Sequence, residues 1–241
     1  MTDSEQGQGA FNAATGRTLE SDHGKPRYLN YQRELIRAHC GRTVLEVGAG
    51  LGEFADGFTG FERYVVTDVD PEAVRQMKAR FADREEIEVQ QFDIDGQTTL
   101  DEPVDSLIAI NVLEHIEDDV EALRCLATSV NPGGDIVLFV PGYQQLYGEF
   151  DRKVGHYRRY TPATVRAAAE RAGLTVEVAR PVNFLGAFAW WAAVRKGGAG
   201  APNRKLVAIY DRFVVPVTRA IEKVVKVPFG QSVLCVARKP R

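Results

Sequence analysis

The chain has 241 residues, enough for one well-buried α/β domain with a modest insertion and too few for two full domains. Hydrophobic residues make up 44% and charged residues 26%, an ordinary globular balance, and a net charge of −3 argues against nucleic acid as the main partner. Cys40, Cys125 and Cys235 are dispersed and form no C-x-x-C pair, which argues against a disulfide framework or structural zinc and for a cytoplasmic location.

Residues 1–24 are polar, lack a signal-peptide core and are expected to form a mobile arm. No apolar run reaches the roughly 20 residues that span a bilayer, so stable membrane insertion is not expected. A helix from about Pro26 to Cys40 follows, with Tyr28, Tyr31, Leu35 and Ile36 as its apolar stripe and Gly41 as its stop. Thr43–Val47 is a short apolar strand that runs into a glycine turn, and Arg63–Asp68 is a second strand. Asp70-Pro71-Glu72 opens a helix with a cap, a proline at the first helical position and a carboxylate at the positive end. Ile87–Phe92 and Val104–Ile110 read as the third and fourth strands. Val120, Leu123, Leu126 and Val130 mark a core-facing helix, Asn131-Pro-Gly-Gly134 a turn, and Ile136–Val140 the fifth strand. A helix from Thr161-Pro162 ends at Gly173, and Leu174–Val178 and Ser232–Ala237 are the last strands.

This alternation predicts an α/β fold: a Rossmann-like, doubly wound, mostly parallel seven-stranded sheet covered on both faces, in one domain over residues 25–241. Residues 183–230 form a helical insertion before the last strand. Within it Leu206, Ile209, Phe213, Val217, Ile221 and Val224 share one helical face, and Lys205, Arg212, Arg219, Lys223 and Lys226 the other. Such a segment can lie on an anionic membrane, but packing on the domain or on a second copy is the expectation, in a monomer or homodimer.

The functional signal is Val44-Leu-Glu46-Val-Gly48-Ala49-Gly50-Leu-Gly52-Glu53, directly after a strand and before a helix. Glycines there let the backbone turn sharply and approach a ligand at the carboxyl end of the sheet. Asp68 ends the next strand, where a carboxylate can accept from both hydroxyls of a ribose. The spacing is G-x-G-x-G and not the G-x-G-x-x-G of dinucleotide sites, and Glu46 suits a ligand with an ammonium and no pyrophosphate.

The run Val44–Glu53 resembles the first motif of the class I S-adenosylmethionine (SAM)-dependent methyltransferases, which places SAM against Glu46, Gly48, Ala49, Gly50 and Gly52. Asp68-Val69-Asp-Pro71-Glu72 is similar to the second motif and gives Asp68 the ribose, with Val69 beside it. Phe92-Asp93-Ile94-Asp95 resembles the adenine-binding segment: Asp93 would take the adenine amino group, with Ile94 near the ring. Asn111-Val112-Leu-Glu-His115 resembles the segment flanking the methionine part, and Asn131-Pro-Gly-Gly134 also matches. The resemblance covers roughly Thr43 to Val178 and implies methyl transfer to oxygen or nitrogen of a small molecule.

Such a transfer needs few catalytic side chains, because alignment and water exclusion do most of the work. His115 is the first candidate general base, from its place after the fourth strand and because an unperturbed imidazole, with a pKa of roughly 6.5, suits proton transfer. In the run Tyr143 to Tyr160, Tyr143, Tyr147 and Phe150 can face the acceptor, Asp151 and His156 can pair as a base unit, and Arg158 and Arg159 can clamp an anion. Tyr28 and Tyr31 are a candidate lid, and Asn183 and Trp190 complete the acceptor wall. Related enzymes that bind a divalent cation at Glu-x-x-Glu-His have a carboxylate where this chain has Asn111, so no metal is expected. Two competing readings are a nicotinamide-dependent oxidoreductase, which NAD binding would reveal, and a non-catalytic SAM-binding protein, which would bind without turnover.

Overall fold

Residues 25–94, 98–197 and 204–241 are described by the computed structural model, and the expected arm 1–24 lies outside them. The strands are β1 (Thr43–Val47), β2 (Arg63–Asp68), β3 (Ile87–Gln91), β4 (Val104–Ile110), β5 (Val130–Pro141), β6 (Thr175–Val182) and β7 (Ser232–Arg238). They form one sheet in the order β3-β2-β1-β4-β5-β7-β6. β1 to β5 run parallel, and β7 enters antiparallel between β5 and β6. β6 therefore points the same way as β5, and the ends of β1 to β6 share one edge. The chain order reverses between β1 and β4, where open α/β sheets bind their ligands.

The helices are α1 (Pro26–Arg37), α2 (Glu53–Asp56), α3 (Pro71–Arg80), α4 (Asp119–Thr128), α5 (Glu149–Val154), α6 (Pro162–Arg171), α7 (Phe184–Gly197), α8 (Arg204–Ile209) and α9 (Val215–Val224), with a π-helical turn at Tyr210–Val214. Strand alternation sorts the core into two clusters. Leu45, Leu107 and Leu138 meet Leu123 of α4 and Val165 of α6, while Val44, Val66 and Ile108 meet Ile36 of α1 and Met77 of α3. Among the described residues no helix is long and apolar enough to cross a membrane.

Some boundaries differ from expectation. Val130 belongs to β5, paired with Val104, and Asn131–Gly134 is an irregularity within that strand and not its preceding turn. β6 runs past Val178 to Val182 and accommodates Pro181 because it is the edge strand. α1 stops at Arg37, three residues before Cys40.

The insertion is oriented by its two acids. α1 has no side-chain cap of its own at Lys25. Instead the buried Asp211, in the π-turn, accepts from the Arg27 and Tyr28 amides at 3.3 and 2.9 Å. Glu222 of α9 accepts from the Tyr31 hydroxyl and from the Phe184 amide that opens α7. With the carboxylates turned inward, the apolar stripe of α8–α9 is left largely uncovered by the described residues. Leu206, Ile209, Phe213, Val217 and Val224 are 51–81% exposed.

Asp211→Ala leaves two helix-terminal amides without their acceptor and is expected to cost about 1–2 kcal/mol. Urea unfolding would read this as a lower midpoint at unchanged slope; an unchanged midpoint removes the capping role.

Candidate active site

The turn after β1 is left-handed at Gly48 (φ 71°) and Gly50 (φ 59°). A Cβ on Gly48 would sit 2.6 Å from Val112 Cγ2, so the turn rests directly on the segment that follows β4. A Cβ on Gly50 would meet nothing within 4 Å among the described residues, so the backbone there faces open space. The end of β2 braces this turn: Ala49 N–H donates to Thr67 O and Gly50 N–H to Asp68 Oδ2, each at 2.8 Å. Asp68 is buried and its Oδ1 accepts from the Asp70 amide at 2.9 Å. A carboxylate offers about four acceptor sites, so Asp68 can brace the turn and still meet a ligand. Val69 is exposed beside it. Past β3, Asp93 and Thr98 exchange two hydrogen bonds, and Ile94 and Val112 pack partly buried against the same cluster as Leu113.

Three non-glycine residues among those described are left-handed: Asn111 (φ 52°), Tyr143 (φ 63°) and Asn183 (φ 60°). Each immediately follows or lies within two residues of the end of β4, β5 or β6. Such conformations cost of order 1–3 kcal/mol apiece and persist only when their surroundings hold them. The Asn111 amide donates to Phe139 O at 2.8 Å and the Tyr143 amide to Tyr160 O at 2.7 Å. Asn183 is held by the Tyr31 hydroxyl, Gln231 and Tyr210.

Gln32 was not among the residues singled out by sequence. It is fully buried on α1, and neither amide atom has a hydrogen-bond partner among the described residues. Its neighbour Arg33 donates to Glu53 O and Phe54 O of α2, so α1 lies across the helix that follows the glycine turn. A polar side chain one α-turn after Tyr28, in an otherwise apolar stripe, was the available signal. The open face at Gly50 and the Asp68 carboxylate bonded to its amide fit a polar, nucleoside-bearing ligand.

Residues 22–178 match the profile of a family described as methyltransferase domain. The chain is a class I SAM-dependent methyltransferase. Its cofactor is SAM. It is 32% identical over 118 residues to the ubiquinone biosynthesis O-methyltransferase of Alkalilimnicola ehrlichii, covering 46% of this chain and 47% of that protein. The chain spans about half or less of the length of the first curated relatives it matches. Among solved structures, the fold matches the N-methyltransferase NodS of Bradyrhizobium japonicum, in complex with S-adenosylhomocysteine, at TM-score 0.60 and 17% identity over 95% of this chain and 99% of that one. It matches a Haloferax volcanii complex with the Trm112 methyltransferase activator at TM-score 0.63 and 19% identity, over 97% and 96% of the two chains.

Beside Glu114 and His115, which follow Val112 in the chain, lies a buried ionic cluster. His156 Nδ1 and Asp151 Oδ1 are 2.9 Å apart, and Arg159 Nε donates to the same oxygen at 2.7 Å. The Gly148 amide donates to Asp151 Oδ2 at 2.8 Å. Burial pushes the Asp151 carboxyl up, but the His156 hydrogen bond and the Arg159 charge outweigh it and hold it below the ordinary range. The His115 ring stands edge-on to His156 with centroids 4.5 Å apart, and Glu114, His115 and His156 bring one ligand atom each within 4.8 Å of one another. His115 is half-buried and borders a groove that also touches Ile94, Ile116 and Tyr157.

The remaining candidates divide. Tyr147 donates to His156 O, and Arg158 pairs with Asp119 and donates to Glu117 O, so both polar groups serve the loop. Phe150 and Trp190 form a half-buried T-shaped pair at 5.1 Å. Tyr28 lies between Tyr31 and Tyr210, and with Tyr31 it joins α1 to the insertion. Glu46 is buried and accepts from the Tyr64 hydroxyl.

Burial raises the Glu46 carboxyl from an ordinary 4.5 to about 7. Across that window the folded chain keeps a proton the unfolded chain has released, so this group lowers stability as pH rises from 4.5 and its effect levels off above about 7. Glu46→Gln cannot titrate. The melting temperature of the variant relative to the parent is therefore expected to climb across the window, and a constant difference would remove the assignment.

Proposed function

We propose that this enzyme methylates an oxygen or nitrogen of a small molecule, with His115 as the general base. The observation that carries the reading is the His115–His156–Asp151–Arg159 array at the ligand edge of the sheet. When bound, SAM supplies an electrophilic methyl group on a sulfonium. Asp68 would hold its ribose, the Gly48–Gly50 backbone would let it approach, and Gln32 would satisfy its amide on the amino-acid end. Asp93, Ile94, Asn111 and Val112 would border the rest.

The base geometry is built outward from Arg159. Its guanidinium and the Gly148 amide keep Asp151 ionised, and Asp151 fixes the His156 ring through Nδ1. His156 supports the edge of His115, whose half-exposed ring takes the proton from the acceptor. Phe150, Trp190 and Tyr143 supply an apolar wall, which favours an acceptor with an aromatic or aliphatic body. The three cysteines form no disulfide among the described residues, and burial pushes the thiols of Cys40 and Cys235 up to about 12, in keeping with a cytoplasmic protein.

Two experiments test this. Calorimetric titration with S-adenosylhomocysteine should show Asp68→Ala weakening binding at least about tenfold through lost charge-assisted hydrogen bonds. In the same series Gln32→Met should raise the melting temperature of the free protein and lower affinity, since it removes an unsatisfied buried amide. Unchanged affinity in both variants would overturn the cofactor placement.

Turnover with methyl-labelled SAM and a panel of phenols and amines tests the base. His115→Ala should lower kcat by about 10²–10⁴ with S-adenosylhomocysteine affinity retained. Chelation with EDTA should leave the rate unchanged; loss that a divalent cation restores would turn Glu114, His115 and His156 into a metal site and end the general-base reading.

A further inference from the structure

We propose that the outer face of α8–α9 docks on an anionic phospholipid bilayer. The segment's amphipathicity is inverted relative to a core helix. Its acids, Asp211 and Glu222, point inward and are consumed by α1 and α7. Its large apolar side chains point outward: Leu206, Ile209, Phe213, Val217 and Val224 are each at least half exposed, along one stripe that crosses the π-turn. Isolated exposed apolar residues are ordinary, but a contiguous stripe of this kind marks an interaction surface.

Charge identifies the occupant. Lys205, Arg212, Lys223 and Lys226 are exposed on the same segment, and no acidic residue of that segment is exposed. The chain as a whole carries −3, so this cationic strip runs against its overall charge. By helical spacing Lys205, Arg212 and Lys223 follow one flank of the stripe, where long side chains can reach headgroups while the apolar residues enter the acyl boundary. A second copy of the chain fits less well. A two-fold interface would set this strip against itself, and interface centres are depleted in lysine. A bilayer bearing anionic headgroups complements both the apolar stripe and the basic flank.

The test is co-sedimentation of the full chain with vesicles of phosphatidylcholine alone and of phosphatidylcholine with about 30% phosphatidylglycerol. The expected result is binding to the anionic vesicles only, released by raising salt to about 0.5 M. The exposed double variant Phe213→Glu/Val217→Glu should lose at least about tenfold in vesicle affinity, a difference of about 1.4 kcal/mol, and Lys223→Glu/Lys226→Glu should also weaken it. Unchanged S-adenosylhomocysteine titration in both variants establishes that the fold is intact. Absence of parental binding to anionic vesicles, or equal binding by the Phe213/Val217 variant, overturns the proposal. So does a parental dimer in sedimentation equilibrium that the same variant dissociates, which would assign the face to a second copy.

Discussion

The hydrogen bond from the Gly50 amide to Asp68 is the contact on which the site depends. It joins the loop after β1 to the last residue of β2, so the turn's shape is fixed by the neighbouring strand and not by the loop alone. Gly48 transmits the same order sideways to Val112, and three residues later comes His115. The cofactor crevice and the candidate base thus share one rigid frame. Parallel pairing of β1 with both β2 and β4 makes this possible, because it places three successive strand ends side by side.

Much of this was legible in the sequence because it is local or periodic. The glycine turn, Asp68 and the Asp70-Pro71 helix start are written within a few residues each, and burial on both faces gives the central strands continuous apolar runs. What escaped was set by distant partners. The hydrogen bond that holds Glu46 comes from Tyr64, two positions back along the paired strand, a partner that no local motif announces. Gln32 is conspicuous only once the described residues around it are known to offer no partner. For α8–α9 the periodicity gave the stripe correctly but not its direction, which is decided by Asp211 and Glu222 reaching α1 and α7.

Strain follows the same edge. Asn111, Tyr143 and Asn183 hold left-handed backbone beside the ends of three strands, and each is anchored by hydrogen bonds from other elements. Asparagine tolerates this conformation, whereas Tyr143 has no such excuse and is held by Tyr160 and Pro228. The concentration of unfavourable backbone where the sequence placed acceptor and cofactor residues agrees with the general tendency of strain to gather at working sites.

The cap that Asp211 provides to α1 spans 183 and 184 residues, and the Tyr31–Glu222 contact spans 191. During vectorial synthesis α1 leaves the ribosome before the sheet, but the groups that seat it emerge only after β6. The sheet from β1 to β5 can be paired while α1 still lacks its anchor. Nascent chains released before α9 would then carry a paired sheet beside an α1 that is not yet seated.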